Sequence, residues 1–254
     1  MKRKFILSSI VVAALILSGL YLVPRRAAAG QNADPSVDGI LARYVTALGG
    51  RAAISKHTTK ISKGTLEVVG VTTEGTAESY AKSPNKYFSI INIPGYGEIR
   101  RCFDGHSGWI SGPETGVQPL AGQDLSSTQR DADFYQSLDL KKLYPVLVLK
   151  GKEDVGTWPA YVIEANCGDG VIRHMYFDVS SGLLIRNVDE TDTPQGHDMV
   201  ESFLEDYREV EGVKLPFTVR QVHNKLILIV RITEVKMNQP IDDAKFAKPV
   251  PPAQ

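Results

Sequence analysis

Short segments in which apolar and polar residues alternate fill most of the chain, and turn-forming residues separate them. This two-residue period is typical of β-strands, because successive side chains of a strand point to opposite faces of a sheet. Gly, Pro, Asn and Asp between the segments predict hairpin turns, and hairpins join antiparallel neighbours. The pattern predicts strands near residues 61–70, 73–82, 86–93, 97–103, a short one ending near 110, and then 146–153, 159–167, 171–178, 183–189, 200–208, 213–223 and 225–237.

A helical period appears before the strands and again between two groups of them. Ser36 precedes apolar residues that recur every three or four positions as far as Leu48, which predicts an N-terminal helix capped by Ser36 and ended by the glycines at 49–50. A short helical turn near 51–56 follows. The segment 113–144 is rich in Gln, Ser and Asp, and predicts a loop with one or two helical segments. Prolines make the tail from about residue 239 irregular.

Several predicted strands are apolar on both faces. In segment 86–93, Tyr87 and Ile91 point to one side, whereas Phe88 and Ile90 point to the other. An antiparallel sheet with one face in water would alternate apolar and polar residues instead. The pattern predicts a sheet covered on both sides, with helices on one side and an apolar cavity or a second layer of sheet on the other. An ordinary sandwich core is the alternative.

The first 29 residues have the organisation of a secretory signal. Three basic residues precede an uncharged, mostly apolar run over residues 5–23, and Ala27 and Ala29 occupy the small-residue positions of a cleavage site before Gly30. The run is also close to the roughly 20 residues that span a bilayer as a helix. We therefore expect export, with residues 1–29 removed as a signal peptide or retained as an N-terminal anchor that contacts the membrane through residues 5–23.

The balance of charge argues against nucleic acid as a partner. Five of the 29 basic residues lie in the leader, so residues 30–254 contain 24 basic and 29 acidic residues, a net charge of −5. A mildly acidic domain without a basic tract is a poor nucleic-acid binder, and it has no polybasic segment for anionic lipid head groups. The length is sufficient for a single β-rich domain with a real core over residues 30–254.

The sequence predicts no metal, no cofactor and no catalytic residue. No histidine has another three to five residues away, and Cys102 and Cys167 do not form the cysteine pairs of a zinc site. On the predicted strands Cys102 shares a face with charged residues and Cys167 shares one with apolar residues, which favours two separate thiols over a disulfide. We therefore expect a protein that is not an enzyme.

Two segments suggest chemistry but have simpler explanations. The run Gly-His-Ser-Gly-Trp at 105–109 has Trp109 where a nucleophile elbow needs glycine, and it lies between two strands. It predicts a hairpin turn with Trp109 in the core. Asp189, Glu190 and Asp192 predict a solvated acidic loop, with a weak calcium site as the alternative.

Five short sequence motifs occur in order over about 200 residues. They are Ala-Leu-Gly-Gly at 47–50, Lys-Ser-Pro-Asn-Lys at 82–86, Phe-Asp-Gly before Gly-Trp at 103–109, Tyr-Phe-Asp before Gly-Leu-Leu at 176–184, and Asp-Tyr-Arg before Gly-Val-Lys-Leu-Pro-Phe at 206–217. In these motifs and in their order along the chain, the protein resembles the LolA-like group of outer-membrane lipoprotein-sorting proteins. The resemblance implies a mainly β (α+β) fold, a strongly curved antiparallel sheet or incomplete β-barrel with an N-terminal helix and a helical insertion.

The resemblance also implies a binding protein that shelters a lipid or a lipoprotein acyl chain in an apolar cavity, in lipoprotein sorting. It would be periplasmic, or anchored to the inner membrane and facing the periplasm. Burial of each methylene gains about 0.8 kcal/mol, so an acyl chain needs no polar motif. One alternative is an envelope structural or sensory domain that binds a partner protein and has no lipid cavity. Another is a hydrolase whose site is assembled from distant residues. The cavity candidates, for which core packing is the alternative role, are Phe88, Ile90, Phe103, Trp109, Tyr161, Ile163, Met175 and Phe177.

Overall fold

A computed structural model describes residues 35–193 and 196–249. The predicted signal or anchor, its cleavage site and the last residues of the tail lie outside the described residues. Within the part of the chain that is described, no helix is both long and apolar enough to cross a membrane.

The helices begin and end where the sequence provides caps. Ser36 accepts a hydrogen bond from the backbone N–H of Gly39 at 3.1 Å, which caps the first helix as predicted. After this helix Gly49 has a φ of 117°, and a Cβ there would collide with the carbonyl oxygen of Gly212. The four α-helices of the described chain are α1 (Val37–Ala47), α2 (Arg51–Ser55), α3 (Gly122–Ala132) and α4 (Leu140–Leu143), and two 3-10 turns span Gln136–Leu138 and Asp243–Phe246.

Thirteen strands are found in the described residues. They are β1 (Thr59–Val68), β2 (Gly75–Lys82), β3 (Lys86–Ile93), β4 (Gly97–Phe103), β5 (Gly108–Gly112), β6 (Gly116–Pro119), β7 (Val146–Val155), β8 (Trp158–Asn166), β9 (Val171–Asp178), β10 (Leu184–Thr193), β11 (Gly196–Val210), β12 (Val213–His223) and β13 (Leu226–Met237).

All thirteen strands form one antiparallel sheet in the order β6-β5-β4-β3-β2-β1-β13-β12-β11-β10-β9-β8-β7. Strands adjacent in the chain are adjacent in the sheet, except that β1 pairs with β13 and that the helical insertion separates the two edge strands, β6 and β7. The sheet does not close on itself. The predicted mainly β fold, with its N-terminal helix and helical insertion on an open antiparallel sheet, is confirmed.

Two local predictions were wrong. Residues 116–119 were expected in a loop but form β6, and the sequence has no strand signal there because all four residues of this edge strand are exposed. The acidic segment was also expected in a loop but belongs to β10, where Asp189 pairs with Arg173 and Glu190 pairs with Ile172 of β9. Asp189 points to the opposite face of the strand from Glu190 and Asp192, so the three acids do not converge on one cation. Among the described residues, no group of three or more potential ligands is placed to hold a metal ion.

Strand β3, which is apolar on both sides, has a cover on each face. We call the face beneath the helices the inner face and the opposite one the outer face. On the outer face, a row of paired residues packs against Ile241 and Phe246 of the C-terminal segment. A cavity lies on the same face as the helices, and the C-terminal segment covers the opposite face, so the predicted cavity or second layer of sheet on that face was wrong. The row consists of Ile61, Tyr80, Phe88, Cys102 and Trp109. Cys102 and Cys167 are both buried and free.

Helix α3 bridges the two halves of the open sheet. On one side Arg101 of β4 donates a hydrogen bond to the hydroxyl of Thr128 at 3.3 Å. On the other side Arg130 donates to the carboxylate of Asp169, in the turn between β8 and β9, at 2.8 Å. Both charged side chains of this second contact are nearly buried, with 9% and 12% exposure. The helical insertion thus ties β4 to the turn that precedes β9.

Candidate functional site

A cavity of about 420 Å³ lies between the inner face of the sheet and the helices. Strands β1 to β3 and β10 to β13 form its floor, and α1, α2 and the segment 131–137 cover it. The volume falls within the roughly 300–1,000 Å³ of small-molecule binding sites. Most of the lining is apolar, and its main apolar members are Leu48, Ile54, Ala81, Phe134, Leu184, Leu204, Val213, Leu215 and Met237.

The register of the central strands sets which side chains reach the cavity. Tyr87 pairs with Ala81, Ala81 pairs with Lys60, and Lys60 pairs with Met237, so four adjacent strands contribute one row of side chains. Directly paired residues share a face of the sheet. All four of these residues line the cavity.

His57 lines the cavity as a structural group. Its side chain is 2% exposed. Asn238 accepts from the backbone N–H of Thr58 through its amide oxygen at 2.9 Å, so its amide nitrogen faces the imidazole Nδ1 at 3.0 Å. Because an amide nitrogen only donates, Nδ1 accepts and Nε2 carries the proton, which it donates to the carbonyl of Glu211 at 3.3 Å. Both ring nitrogens are therefore satisfied by the fold.

Two charged side chains on the cavity wall have shifted pKa values. Burial lowers the pKa of the Lys60 amine below its usual 10.5. Asp131 also lines the cavity, and desolvation raises the pKa of its carboxyl despite the nearby guanidinium groups of Arg173, Arg130 and Arg101. The cavity thus combines an apolar wall with a few isolated polar groups.

Arg173 is held by protein partners on the same inner face. Its guanidinium donates two hydrogen bonds to the Asp189 carboxylate at 2.6 and 2.7 Å, and a third to the Tyr144 hydroxyl at 2.8 Å. A bidentate pair of this kind fixes the orientation of both groups. Arg173 and Asp189 therefore connect β9 to β10 and to the end of α4.

The described residues contain no catalytic arrangement that we recognise. No serine or cysteine side chain there hydrogen-bonds a histidine ring, which is the contact that activates such nucleophiles. The geometry of the cavity supports enclosure of an apolar ligand.

The eight residues predicted to line a cavity lie in three places, and none of them lines the 420 Å³ cavity. On the outer face, Phe88, Ile90 and Trp109 belong to the cluster covered by Phe246. Phe103 is buried and pairs with Tyr87, which places it on the inner face beside the cavity row.

The other four candidates lie together in the main core beneath α1. Ile163, Met175 and Phe177 are buried there, and Tyr161 packs against them. Tyr161 and Phe177 also line a separate cavity of about 50 Å³ beside α1. A role of the eight residues in ligand binding stays a prediction.

Sequence reasoning missed the residues that line the larger cavity. Alternation along 86–93 separates Tyr87 from Phe88, but it does not say which of the two faces lies beneath the helices. The missed residues Lys60, Ala81 and Met237 share the face of Tyr87 only through pairings with distant strands. A register prediction for β1 to β3 is the signal that would have found Lys60 and Ala81.

Comparison with known proteins supports the fold. No protein-family model matches the chain, and a search of curated proteins finds no match. Among solved structures, a DUF1329 family protein from Desulfovibrio piger matches 83% of this chain and 97% of its own, with a TM-score of 0.59 and 11% identity.

Two further structures agree with that match. A LolA superfamily protein from Nitrosomonas europaea covers 84% of this chain and 98% of its own, with a TM-score of 0.55 and 13% identity. An outer membrane lipoprotein-sorting protein domain from Vibrio parahaemolyticus covers 74% and 89%, with a TM-score of 0.52 and 10% identity. The resemblance seen in the sequence is therefore confirmed at the level of the fold, and the chain has the architecture of the LolA-like group.

Proposed function

We propose that this protein is an exported, non-enzymatic binding protein that shelters a lipid or a lipoprotein acyl chain. The observation that carries the proposal is the 420 Å³ cavity with a mostly apolar wall between the inner face and the helices. Transfer of an acyl chain from water to such a wall is favourable by about 0.8 kcal/mol per buried methylene. No particular polar side chain is needed for this affinity.

Two other observations support the proposal. The fold is shared with a domain described as an outer membrane lipoprotein-sorting protein, which suggests a role in lipoprotein sorting. The first 29 residues have the pattern of a secretory signal, which suggests that the domain works in the periplasm, free or anchored to the inner membrane.

The proposal is tested by native mass spectrometry of protein purified from cells that express the full chain, followed by solvent extraction of the bound molecule. We expect a lipid or an acylated peptide to co-purify. Leu204→Trp places an indole in the cavity and should reduce the lipid-bound fraction severalfold. Met199→Trp is the matched control, because Met199 lies on the same strand, points to the outer face and is 41% exposed.

The carrier proposal would be contradicted if the native mass equals that of the protein alone and the folded protein takes up neither a fatty acid nor an acylated peptide. Equal lipid occupancy in the two tryptophan variants would place the ligand elsewhere.

An envelope interaction domain is the second candidate, and exposed apolar side chains favour it. Val69 and Val71 follow β1, Tyr96 lies between β3 and β4, and Leu226 begins β13, with 45% to 49% exposure. These connections lie at the same end of the sheet, where the N–H of Val69 donates to the carbonyl of Ile227 at 3.0 Å. Exposed apolar patches often mark contact sites. A folded protein that binds no lipid would leave this candidate as the better explanation.

A further inference from the structure

Lys60 is the cation that β1 places in the wall of the cavity. Its neighbours in the sheet are Ala81 on β2 and Met237 on β13, and both of these line the same cavity. The side chain is only partly exposed, and burial lowers the pKa of its amine. A lysine in such surroundings is unusual unless an anion accompanies it.

The protein itself supplies no such anion. Within residues 35–193 and 196–249, no hydrogen bond or ion pair of the Lys60 amine is found. Other lysines on β1, β2 and β3 are paired. Lys63 lies 3.8 Å from Glu78, and Lys82 and Lys86 lie 2.7 and 3.1 Å from Asp243.

Neither acid that lines the cavity is paired with Lys60 in the described residues. The guanidinium groups of Arg173, Arg130 and Arg101 lie near enough to Asp131 to favour its charged form, although burial raises the pKa of its carboxyl. Asp133 accepts the backbone N–H of Tyr135 at 2.9 Å. Neither carboxylate contributes to the pKa of Lys60, which burial alone shifts.

We infer that Lys60 binds the anionic head group, a carboxylate or a phosphate, of a single-chain amphiphile whose acyl chain occupies the apolar part of the cavity. This inference rests on the proposed function and names the ligand class. The amine donates charge-assisted hydrogen bonds to the anionic oxygens, and the low polarity of the wall strengthens them. Neutral lipids of the same chain length lack this contact and bind more weakly.

The experiment compares three ligands with the same sixteen-carbon chain: palmitate, hexadecyl phosphate and hexadecanol. Their affinities for the delipidated full-length protein are measured at pH 7 by competition with a fluorescent acyl probe. We expect at least one anionic ligand to bind about tenfold more tightly than the alcohol, the size of one charge-assisted hydrogen bond. Whichever anion is preferred identifies the head group. Acetate and inorganic phosphate alone should not displace the probe.

Lys60→Met should remove the preference for the anion and leave the affinity for hexadecanol within about twofold, since the chain contacts persist. Lys60→Arg keeps the positive charge and should retain part of the preference. Lys63→Met is the matched control, because Lys63 lies on the same strand, is 48% exposed and pairs with Glu78. It should behave like the unmodified protein.

Two negative results of this experiment have different consequences. If all three ligands bind alike, or if the preference survives in Lys60→Met, the inference about Lys60 is wrong and the proposed carrier function stands. If none of the three ligands binds to folded protein, the carrier function fails, and the inference fails with it.

Discussion

At the scale of the residue, Lys60 carries the inferred binding of an anion but lowers the stability of the folded protein. Burial lowers its pKa, so the folded state binds the proton less tightly than the unfolded state does. Wherever the amine is protonated in the unfolded state, this difference opposes folding. Lys60→Met should raise the Tm of the ligand-free protein by roughly 2–4 °C, the shift that about 1 kcal/mol produces in a chain of this size.

The pH dependence provides the check. The destabilisation caused by Lys60 is fully present below the folded-state pKa of its amine. It decreases as the pH rises towards the usual lysine value of 10.5, above which the amine is neutral in both the folded and the unfolded state. Asp131, His57 and Lys214 also line the cavity and are common to both proteins. Thermal unfolding at pH 7 and near pH 10.5 should show an advantage that shrinks, whereas a lower Tm for the variant at pH 7 would refute this account.

At the scale of the element, the C-terminal segment acts as part of the core. Phe246 is 1% exposed and packs over the outer-face row that contains Phe88 and Trp109. Phe246→Ala should lower the free energy of unfolding by about 3–5 kcal/mol, the usual cost of removing a buried aromatic ring. Urea denaturation followed by tryptophan fluorescence measures this change.

Val117→Ala is the control for this segment, because Val117 lies on the edge strand β6 and is 36% exposed. Its effect should stay within about 0.5 kcal/mol. Similar effects for the two variants would mean that the tail does not stabilise the sheet.

At the scale of the whole molecule, α3 keeps the two halves of the open sheet together. Asp169→Ala would leave the buried guanidinium of Arg130 without its carboxylate, and its Nε already lacks a partner among the described residues. Breaking a buried ion pair in this way costs about 3–5 kcal/mol. We expect faster amide hydrogen exchange in α3, with β12 and β13 less affected, because their pairing does not depend on this contact.

An exposed ion pair provides the comparison. Asp38 and Lys141 lie 2.6 Å apart, but their side chains are 69% and 59% exposed. Asp38→Ala should therefore cost less than about 1 kcal/mol and leave the exchange of α3 unchanged. Unchanged exchange of α3 in Asp169→Ala would show that the helix is held by other contacts.

The sequence by itself determined most of the elements, because their signals are local. Alternation and turn residues located twelve of the strands to within a few residues, and Ser36 and the glycines after Leu48 marked the ends of α1. The edge strand β6 was not predicted, because all four of its residues are exposed and its sequence shows no alternation of apolar and polar residues. The acidic end of β10 was not predicted as a strand, because pairing with β9 and β11 outweighs the low strand propensity of its residues.

Only the tertiary structure decided which face of each strand is the inner one. Tyr87 and Phe88 are adjacent aromatic residues, yet Tyr87 lines the cavity and Phe88 packs beneath the C-terminal segment. A period of two separates the faces of a strand but does not orient them, since the orientation depends on where α1, α3 and residues 241–246 pack. The cavity and the unpaired Lys60 arise from pairings between β1, β2 and β13, which lie up to about 180 residues apart in the chain.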